Sequence, residues 1–354
     1  MEFLLATLGG LLFFWRLSPS QKSSVNRTTA FDKPFLVSVV IPARNEEKNI
    51  PHLLASLKNQ QSVTPEIIVV DDGSTDETAK IAQDSGVVVV KSPPRPDDWV
   101  GKSWACWQGF KYAKGDYILF TDADTTLAPD ALCRSISKLK DRHWDMLSAT
   151  PYHSCNKWWE KWLGGFHCLI MAVANPFAKK PNPKRPYGIG QFMLFSRDAY
   201  LESGGHKSIR SEWVDDISLV KVALARGISY GVYDGDPLYE VKMYDNWGEF
   251  MRGWQRQFRG GVEQLSALKL LEMFLLVNFL LASLTFSNGF LQVFFFLWSS
   301  VMVAHFQKGF GRVHLGGALL PVISVAVLTL VGLGTLKQVI SRQPIIWKDR
   351  KYRV

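Results

Sequence analysis

Two acidic clusters, each placed directly after a short apolar run, constrain the fold of this chain more than any other feature. The apolar runs are residues 67–70 and 117–120, and they consist of β-branched, aromatic or leucine side chains. The acids that follow them are Asp71, Asp72, Asp122 and Asp124. Runs of this kind are typical of buried parallel strands, and open α/β sheets bind ligands beyond the carboxyl ends of such strands. The sequence therefore predicts an α/β sheet with carboxylates along its ligand-binding edge.

Asp122 and Asp124 are two residues apart, which would place both side chains on the same side of an extended chain. Two carboxylates that converge in this way suit Mg²⁺ or Mn²⁺, because such cations prefer oxygen ligands and also bind diphosphate oxygens. Acids rarely serve packing alone after a fully apolar strand. We therefore expect a metal-dependent enzyme that handles a nucleoside diphosphate.

The first part of the chain alternates strand-like and helix-like patterns. The strand patterns are residues 36–41, 67–70, 87–90 and 117–120. The helix patterns are residues 48–59, 76–85 and 102–113. Such alternation predicts a parallel sheet covered by helices. We place the domain that contains this sheet at residues 34–243.

Long uncharged segments follow this domain. Hydrophobic residues make up 47% of the 354 residues, and no Asp, Glu, Lys, Arg or His occurs in residues 273–304 or 315–336. Because about 20 apolar helical residues cross a bilayer core, these segments predict membrane helices. They belong to a C-terminal part, residues 264–354, that ends in a basic tail. The expected membrane helices are residues 268–286, 290–307 and 315–336.

Two shorter segments are also predicted to contact the membrane. Residues 1–33 would form a short N-terminal anchor and a linker, since the apolar stretch 3–15 rises only about 20 Å as a helix. Residues 244–263 combine aromatic and Arg side chains at helical spacing. This pattern is typical of an amphipathic helix in the lipid headgroup layer, with an ordinary surface helix as the alternative.

The charge distribution favours a membrane protein over a nucleic-acid-binding one. The net charge is +9, and much of it lies beside the apolar segments, which fits contact with anionic lipid headgroups. The four cysteines lack metal-ligand spacing and are expected to be reduced thiols. We therefore expect a multi-pass protein of the cell membrane with its catalytic domain facing the cytoplasm. Three full crossings would put the basic tail outside, against the positive-inside tendency, so re-entry of one segment stays open.

Five motifs occur in the order in which one enzyme family carries them. They are Val-Ser-Val-Val-Ile-Pro-Ala-Arg-Asn-Glu-Glu at residues 37–47, Asp-Asp-Gly-Ser-Thr-Asp at 71–76, Gly-Lys at 101–102, Asp-Ala-Asp at 122–124 and Val-Asp-Asp-Ile-Ser-Leu at 214–219. In these motifs the chain resembles the membrane-bound family 2 glycosyltransferases, in particular the branch that includes carotenoid and hopanoid-associated enzymes. The resemblance implies a GT-A fold, in which a Rossmann-like mixed α/β sheet binds a UDP-sugar, with transmembrane helices after it.

The resemblance also implies roles for single residues. Those expected to bind the nucleotide sugar are Pro42, Ala43, Arg44, Asn45, Glu46, Asp71, Asp72, Lys102, Asp122 and Gln191. Asp124 and Asp122 would hold Mg²⁺ or Mn²⁺. Asp216 would be the general base, with Asp215 as the second catalytic candidate. Because Asp216 opens a predicted helix, we expect the helix N-terminus to keep the pKa of Asp216 low.

The implied function is an inverting transfer of one sugar, with UDP-glucose as the expected donor, to a membrane lipid such as a carotenoid or another terpenoid. A polyprenyl phosphate or a sphingolipid is an alternative acceptor, and a catalytically silent GT-A membrane scaffold is an alternative of another class. A polymer synthase is disfavoured, because Gln255 and Arg259 depart from the Gln-x-x-Arg-Trp spacing of processive members. A nicotinamide-dependent oxidoreductase is disfavoured because no G-x-G-x-x-G follows the first strand. The sequence leaves the sugar, the lipid and the oligomeric state open.

Overall fold

A computed structural model describes residues 1–18, 35–178, 182–183, 185–242, 244–262, 265–343, 345–347 and 350–352. The chain divides into two compact units. The sheet unit comprises residues 21–151 and 179–241, and the helical unit comprises residues 1–20, 152–178 and 242–354.

The strands of the described chain are, in order, β1 (Val37–Ala43), β2 (Glu66–Asp71), β3 (Val88–Lys91), β4 (Tyr117–Phe120), β5 (Thr125–Leu127), β6 (Met146–Ala149), β7 (Tyr152–His153), β8 (Met193–Ser196), β9 (Tyr230–Tyr233), β10 (Tyr239–Val241), β11 (Ile345–Trp347) and β12 (Arg350–Tyr352).

The α-helices are α1 (Glu2–Leu17), α2 (Ile50–Lys58), α3 (Thr78–Asp84), α4 (Gly101–Phe110), α5 (Ala131–Asp141), α6 (Gly164–Ala174), α7 (Arg197–Glu202), α8 (Gly205–Ser208), α9 (Asp215–Ala225), α10 (Trp247–Val262), α11 (Ala267–Thr285), α12 (Gly289–Phe306) and α13 (Pro321–Ile340). Short 3₁₀ helices occupy Glu160–Trp162, Gln307–Gly309 and Leu315–Leu319.

A seven-stranded sheet in the order β3-β2-β1-β4-β8-β6-β9 forms the centre of the sheet unit. The first four strands are parallel, β8 runs antiparallel to both of its neighbours, and β9 is parallel to β6. The sheet is therefore mixed, as predicted. Its four parallel strands include the two apolar runs that precede the acidic clusters.

Close packing of α4 on β1 and β2 fixes the position of the helix that begins at Gly101. A Cβ on Gly109 would overlap with the side chain of Val40 on β1 and would lie 2.8 Å from that of Val70 on β2. The absence of a side chain at Gly109 lets the helix approach the sheet this closely. Lys102, in the first turn of α4, is thereby held near the carboxyl ends of the strands.

Among the described residues of the helical unit, three helices are long and apolar enough to cross a membrane, by length and composition: Ala267–Thr285, Gly289–Gly309 and Pro321–Ile340. The first two are joined by a short connection, residues 286–288. Asn288 caps α12 there, because its side-chain oxygen accepts hydrogen bonds from the backbone N–H groups of Phe290 and Leu291.

Helix α1 packs against α11 and α12 at two adjacent glycines. A Cβ on Gly9 would overlap with the carbonyl oxygen of Leu275, and one on Gly10 would lie 2.6 Å from the ring of Trp298. Close approach through small residues is common where apolar helices associate. At its end, Arg16 forms a 2.8 Å ion pair with Glu272. The anchoring role of residues 1–33 stays a prediction, and α1 itself is held by protein contacts.

Helix α6 is enclosed by the apolar helices α1, α11, α12 and α13. Its sequence is apolar on all sides, which is typical of a buried helix. Residues 152–178 therefore group with the helical unit, although they lie inside the predicted 34–243 domain. The predicted domain boundaries remain predictions.

Helix α10 directs part of its aromatic face into the helical unit. Phe250 and Trp254 are buried, and both rings contact Phe166 of α6. Gln255 accepts a 2.7 Å hydrogen bond from the side-chain amide of Gln338 on α13. These contacts tie α10 to protein partners, and its predicted location in the headgroup layer stays a prediction.

Candidate active site

The loops that follow β1 and β2 are joined by a set of hydrogen bonds. The backbone N–H of Asn45 donates to the Ser74 hydroxyl (3.1 Å), and the Asn45 side-chain oxygen accepts from the N–H of Thr75 (2.9 Å). The N–H of Glu46 donates to the Thr78 hydroxyl (2.7 Å). Asn45 has a φ of 53°, a left-handed conformation that Asn tolerates better than most residues. Asn45 and Glu46 thus hold the two loops at the strand ends together.

Asp71 and Asp72 lie at the end of β2 and are both 8% exposed. Asp71 pairs in register with Ala43, and its side chain accepts a hydrogen bond from the N–H of Ser74 (2.9 Å). The N–H of Asp72 donates to the carbonyl of Ala43 (2.9 Å), and the Arg44 guanidinium donates to the carbonyl of Asp72 (2.8 Å). The predicted nucleotide-binding residues of the first two strands are therefore contiguous.

Asp122 and Asp124 lie in a turn between β4 and β5, so the expectation of an extended chain here was wrong. The Thr125 hydroxyl and the Thr125 N–H both donate to the carbonyl of Asp122, at 2.8 and 3.3 Å. These bonds bend the chain immediately after β4. Both acids remain partly exposed.

Lys102 brings together acids from two different parts of the sheet unit. Its Nζ lies 2.8 Å from Oδ1 of Asp122 and 3.4 Å from Oδ2 of Asp215, at the start of α9. Burial lowers the pKa of Lys102, but the charges of Asp122 and Asp215 raise it by more, so the ammonium group stays protonated. Burial raises the pKa of Asp122 despite the opposing charge of Lys102, and the charge of Glu46 acts in the same direction as burial.

Gly190 leaves the space in which this ion cluster forms. A Cβ on Gly190 would lie 2.7 Å from Nζ of Lys102, 3.6 Å from Cβ of Asp216 and 3.8 Å from Oδ2 of Asp215. Real Cβ atoms are essentially never found as close as 2.7 Å to another heavy atom. A side chain at this position would therefore displace Lys102.

Asp216 follows Asp215 in the first turn of α9 and binds two backbone N–H groups. Its Oδ2 accepts from Gly190 (3.0 Å) and its Oδ1 accepts from Ile217 (2.7 Å). Burial, followed by the charge of Asp215, raises the pKa of Asp216 to about 6. The expectation of a low pKa was therefore wrong, because desolvation and the neighbouring acid outweigh the N–H groups.

Gln191 is buried beside the end of β4. Its carbonyl accepts a 2.7 Å hydrogen bond from the Thr121 hydroxyl, and its side-chain oxygen lies 3.5 Å from the Tyr239 hydroxyl. Gln191 thus follows Gly190 directly and is fixed to the strand that precedes Asp122.

The site offers two carboxylates, which could hold a divalent cation if the phosphates of the substrate and water supply the remaining metal ligands. Among the residues that the structure describes, no group of three or more His, Cys, Asp or Glu side chains is arranged to hold a metal ion. Mg²⁺ is commonly bound by one or two carboxylates together with substrate phosphates and water. Asp122 and Asp124 match this pattern, and a cation at Asp122 would compete with Lys102.

Residues 38–204 match the sequence model of the family described as Glycosyl transferase family 2. The chain carries a family 2 glycosyltransferase domain. One relative is the 4,4'-diaponeurosporenoate glycosyltransferase of Staphylococcus aureus (strain USA300), which is 34% identical over 230 residues. The match covers 64% of this chain and 61% of that protein, so the chain spans less than two thirds of the relative's length.

A solved structure supports the fold of the family 2 domain and of the chain that carries it. The mannosyltransferase PcManGT from Pyrobaculum calidifontis, in complex with GDP-Man and Mn²⁺, superposes with a TM-score of 0.55 at 16% identity. The alignment covers 95% of this chain and 97% of that chain. Together with the mixed sheet, the family match and this structure confirm the predicted GT-A-like fold with apolar helices after it.

Sequence reasoning missed two residues that shape the family 2 domain's site. Gly190, next to the predicted Gln191, is one of them, because its missing side chain makes room for Lys102. Thr125 was not noted, although it forms the turn that carries Asp122. A Ser or Thr residue after an acidic motif only weakly indicates a turn, and no feature of the neighbouring sequence indicates the role of Gly190.

Proposed function

We propose that the chain is an inverting glycosyltransferase that transfers one sugar from a UDP-sugar, with UDP-glucose as the first choice, to a membrane lipid. The observation that carries the proposal is the convergence of Asp122 and Asp215 on Lys102, next to Asp216, within a family 2 domain. Sugar transfer needs a group that binds the donor phosphates and a base that takes the proton of the acceptor hydroxyl. This cluster brings the ammonium group of Lys102 and several carboxylates together at one place.

The donor would bind along the strand ends. Asp71 and Asp72 have acceptor oxygens suited to the uracil N–H and a ribose hydroxyl, with Pro42, Ala43 and Arg44 beside them. Lys102, at the N-terminus of α4, would contact diphosphate oxygens. Asp122 and Asp124 would hold Mg²⁺ or Mn²⁺, which would offset the negative charge that develops on the departing diphosphate.

The acceptor side would be formed by Asp216 and the segment at Gly190 and Gln191. In the transfer, the acceptor oxygen forms a bond to the anomeric carbon as the bond from that carbon to the diphosphate oxygen breaks. The acceptor proton passes to the carboxylate of Asp216, and UDP leaves with the bond electrons. The pKa of about 6 suits this role, because a base works best when its pKa lies near the operating pH.

The three apolar helices support a membrane acceptor and a cell-membrane location. We place the catalytic domain on the cytoplasmic side, where its four cysteines would stay reduced. A carotenoid or another terpenoid is our first choice of lipid, supported by the name of the Staphylococcus aureus relative. A polyprenyl phosphate or a sphingolipid is the alternative acceptor class.

The test is to incubate the purified protein in detergent with lipid extract and one donor at a time. The donors are UDP-glucose, other UDP-sugars and GDP-mannose, and the products are identified by mass spectrometry. The proposal expects a lipid that gains one hexose from a UDP-sugar. Transfer from GDP-mannose alone would contradict the choice of nucleotide. No product with any donor, from a protein that remains folded, would favour a catalytically silent scaffold.

A further inference from the structure

Helices α11 and α12 form a hairpin whose two free ends lie on the same side. Residues 286–288 join the two helices at one end. At the other end, the last turn of α1 contacts both of them. Arg16 forms its ion pair with Glu272 near the start of α11, and the rings of Phe14 and Phe306, at the end of α12, are 6.0 Å apart. If α11 crosses a membrane, α12 therefore returns to the side from which α11 began.

The segment between α12 and α13 is fixed on this side by the stretch that precedes α6. The N–H of His153 donates to the carbonyl of Phe310, and the N–H of Arg312 donates to the carbonyl of His153, both at 2.9 Å. The N–H of His314 donates to the carbonyl of Lys161 (2.8 Å). Arg312 and Lys161 are exposed charged residues, which are costly inside a bilayer. Helix α13 therefore starts at the membrane surface on this side.

The opposite end of α13 is bound to α10. The side-chain amide of Gln338 donates to the side-chain oxygen of Gln255 (2.7 Å). A Cβ on Gly334 would overlap with the amide of Gln255, so the two helices are in close contact there. The Arg259 guanidinium donates to the carbonyl of Gln343, just beyond α13. The C-terminal end of α13 therefore lies at the same depth as the second half of α10.

Helix α10 has too many charges to lie inside the hydrocarbon core of a bilayer. Its charged residues are Glu249, Arg252, Arg256 and Arg259, and residues 263–266 connect it to the start of α11. Charged side chains are rare and costly in the hydrocarbon core. Helix α10 therefore lies outside this core, on the side from which α11 begins, and the end of α13 that is bound to α10 lies on that side too.

Helix α10 also reaches the stretch that holds the other end of α13. The ring of Trp159 lies 5.3 Å from the rings of both Trp247 and Phe250, at the start of α10. Trp162 lies against the segment that leads into α13, since a Cβ on Gly317 would be 3.1 Å from the carbonyl oxygen of Trp162. The 16 residues of α10 rise about 24 Å. This one charged helix therefore runs along α13 between its two ends.

We propose that α13 does not cross the membrane but lies along the surface of one leaflet beside α10, while α11 and α12 form the crossing pair. The free side of α13 fits the partner that this position implies, which is the boundary between acyl chains and headgroups. Leu330, Leu333 and Leu336 are 53–59% exposed and would enter the acyl-chain region. Lys337 and Arg342 are also exposed and would reach anionic headgroups.

This placement keeps the basic tail on the side of α10. With α13 as a third crossing, the tail would lie on the opposite side, against the tendency of basic residues to remain in the cytoplasm. Length and lack of charge make α13 a candidate for crossing, but these properties describe the helix by itself. In the folded chain, Gln255 and Arg259 of α10 supply the polar side of the helix pair.

Cysteine labelling of the full-length protein tests on which side each segment lies. Single substitutions are made at exposed positions: Gln257→Cys in α10, Ser287→Cys in the hairpin connection and Ser341→Cys after α13. The four native cysteines are buried, so the unsubstituted protein measures the background. A membrane-impermeant maleimide is added to sealed right-side-out and inverted vesicles. Positions 257 and 341 should be labelled in the same vesicles, and position 287 in the opposite ones.

The depth of the helix centres gives a second, independent measurement. Leu330→Cys in α13 and its matched control Leu297→Cys in α12 replace exposed leucines near the middle of their helices. Each variant carries a bimane fluorophore in vesicles of phosphatidylcholine that is brominated either near the headgroup or near the chain ends. Position 330 should lose most fluorescence with bromine near the headgroup, and position 297 with bromine near the chain ends.

Labelling of position 341 together with position 287 would overturn the proposal, and so would equally deep quenching at positions 330 and 297. Labelling of position 287 on the side of position 257 would also overturn it, because α11 and α12 would then not cross. Both readouts measure only the position of a segment in the membrane. Either outcome is therefore independent of whether the chain transfers sugar to lipid.

Discussion

The pH dependence of sugar transfer tests the role of Asp216 most directly. With a pKa of about 6, about nine tenths of the Asp216 carboxyl is ionised at pH 7 and about one tenth at pH 5. If Asp216 accepts the acceptor proton, the rate should therefore fall about tenfold between these pH values and about tenfold for each further unit. An ordinary aspartate, with a pKa near 4, would leave the rate almost unchanged down to pH 5.

The assay is the initial rate of lipid glycosylation by the detergent-solubilised protein at saturating donor, from pH 4.5 to 8. Loss of folding must be separated from loss of ionised base. Because the pKa of Asp216 is higher in the folded than in the unfolded state, its neutral form favours folding, and this contribution is lost as pH rises through 6. Asp216 itself therefore gives no reason for a lower Tm at pH 5.

Asp216→Asn supplies the second half of this test. The amide keeps an oxygen that can accept from Gly190 or Ile217 but cannot take a proton, so turnover should fall by about 10²–10⁴ and lose its pH dependence near 6. Asp84→Asn, on the exposed end of α3, is the matched control and should behave like the wild type. A flat profile in the wild type, or near-normal turnover in Asp216→Asn, would refute the reasoning and make Asp215 the next candidate.

Three further predictions follow from the geometry. Removing divalent cations with excess EDTA, or replacing Asp124 by Ala, should abolish turnover without unfolding the protein, and full activity in EDTA would exclude a metal role. Gly190→Ala should slow transfer about tenfold, because the methyl group would move Nζ of Lys102 by about 1 Å. At an effective dielectric constant near 20, such a shift from a contact of about 2.8 Å weakens one charge pair, here that of Lys102 with the departing diphosphate, by about 1.5 kcal/mol. The same shift from Asp122 should lower Tm slightly, and a wild-type rate would contradict a role of Lys102 in transfer. Gly9→Ala should lower the free energy of unfolding by about 1–3 kcal/mol, because the added methyl group would overlap with the backbone of Leu275. The control Gly332→Ala has open space around the added methyl group and should be neutral or stabilising. Equal Tm values for the two variants would argue against tight packing of α1.

The four strands β1 to β4 were predictable because their signal is local, whereas the other described strands were not predicted. Short continuous apolar runs are typical of strands that are buried on both faces, and the prediction of β4 at residues 117–120 agrees with the structure at both ends. The three long apolar helices were predictable for a similar reason, since length and absence of charge are read directly from the sequence. Helix α6, which packs against these helices, was not predicted, because its eleven residues are too few to suggest a membrane location.

The details of the site were less predictable because they depend on residues far apart in the chain. The turn at Asp122 is the local exception, because the hydroxyl and the N–H of Thr125 close it. The pKa of Asp216 results from burial by the tertiary fold and from a neighbouring acid, which together outweigh a helix N-terminus. The contact between Lys102 and Asp215 joins residues from α4 and α9, and it exists only because position 190 has no side chain. None of these distances is encoded in local spacing.

The position of α6 in the chain has a practical consequence for anyone who wishes to study the catalytic half in isolation. This apolar helix lies in the sequence between β6 and Gly190, so it cannot be removed by cutting the chain at either end. If residues 34–243 were expressed alone, α6 would lose its contacts with α1, α11, α12 and α13. Its apolar surface would then be exposed to water, which promotes aggregation. A soluble version for crystallisation would need a redesigned, polar α6 or a short linker in its place, and not only a stop codon before the first membrane helix.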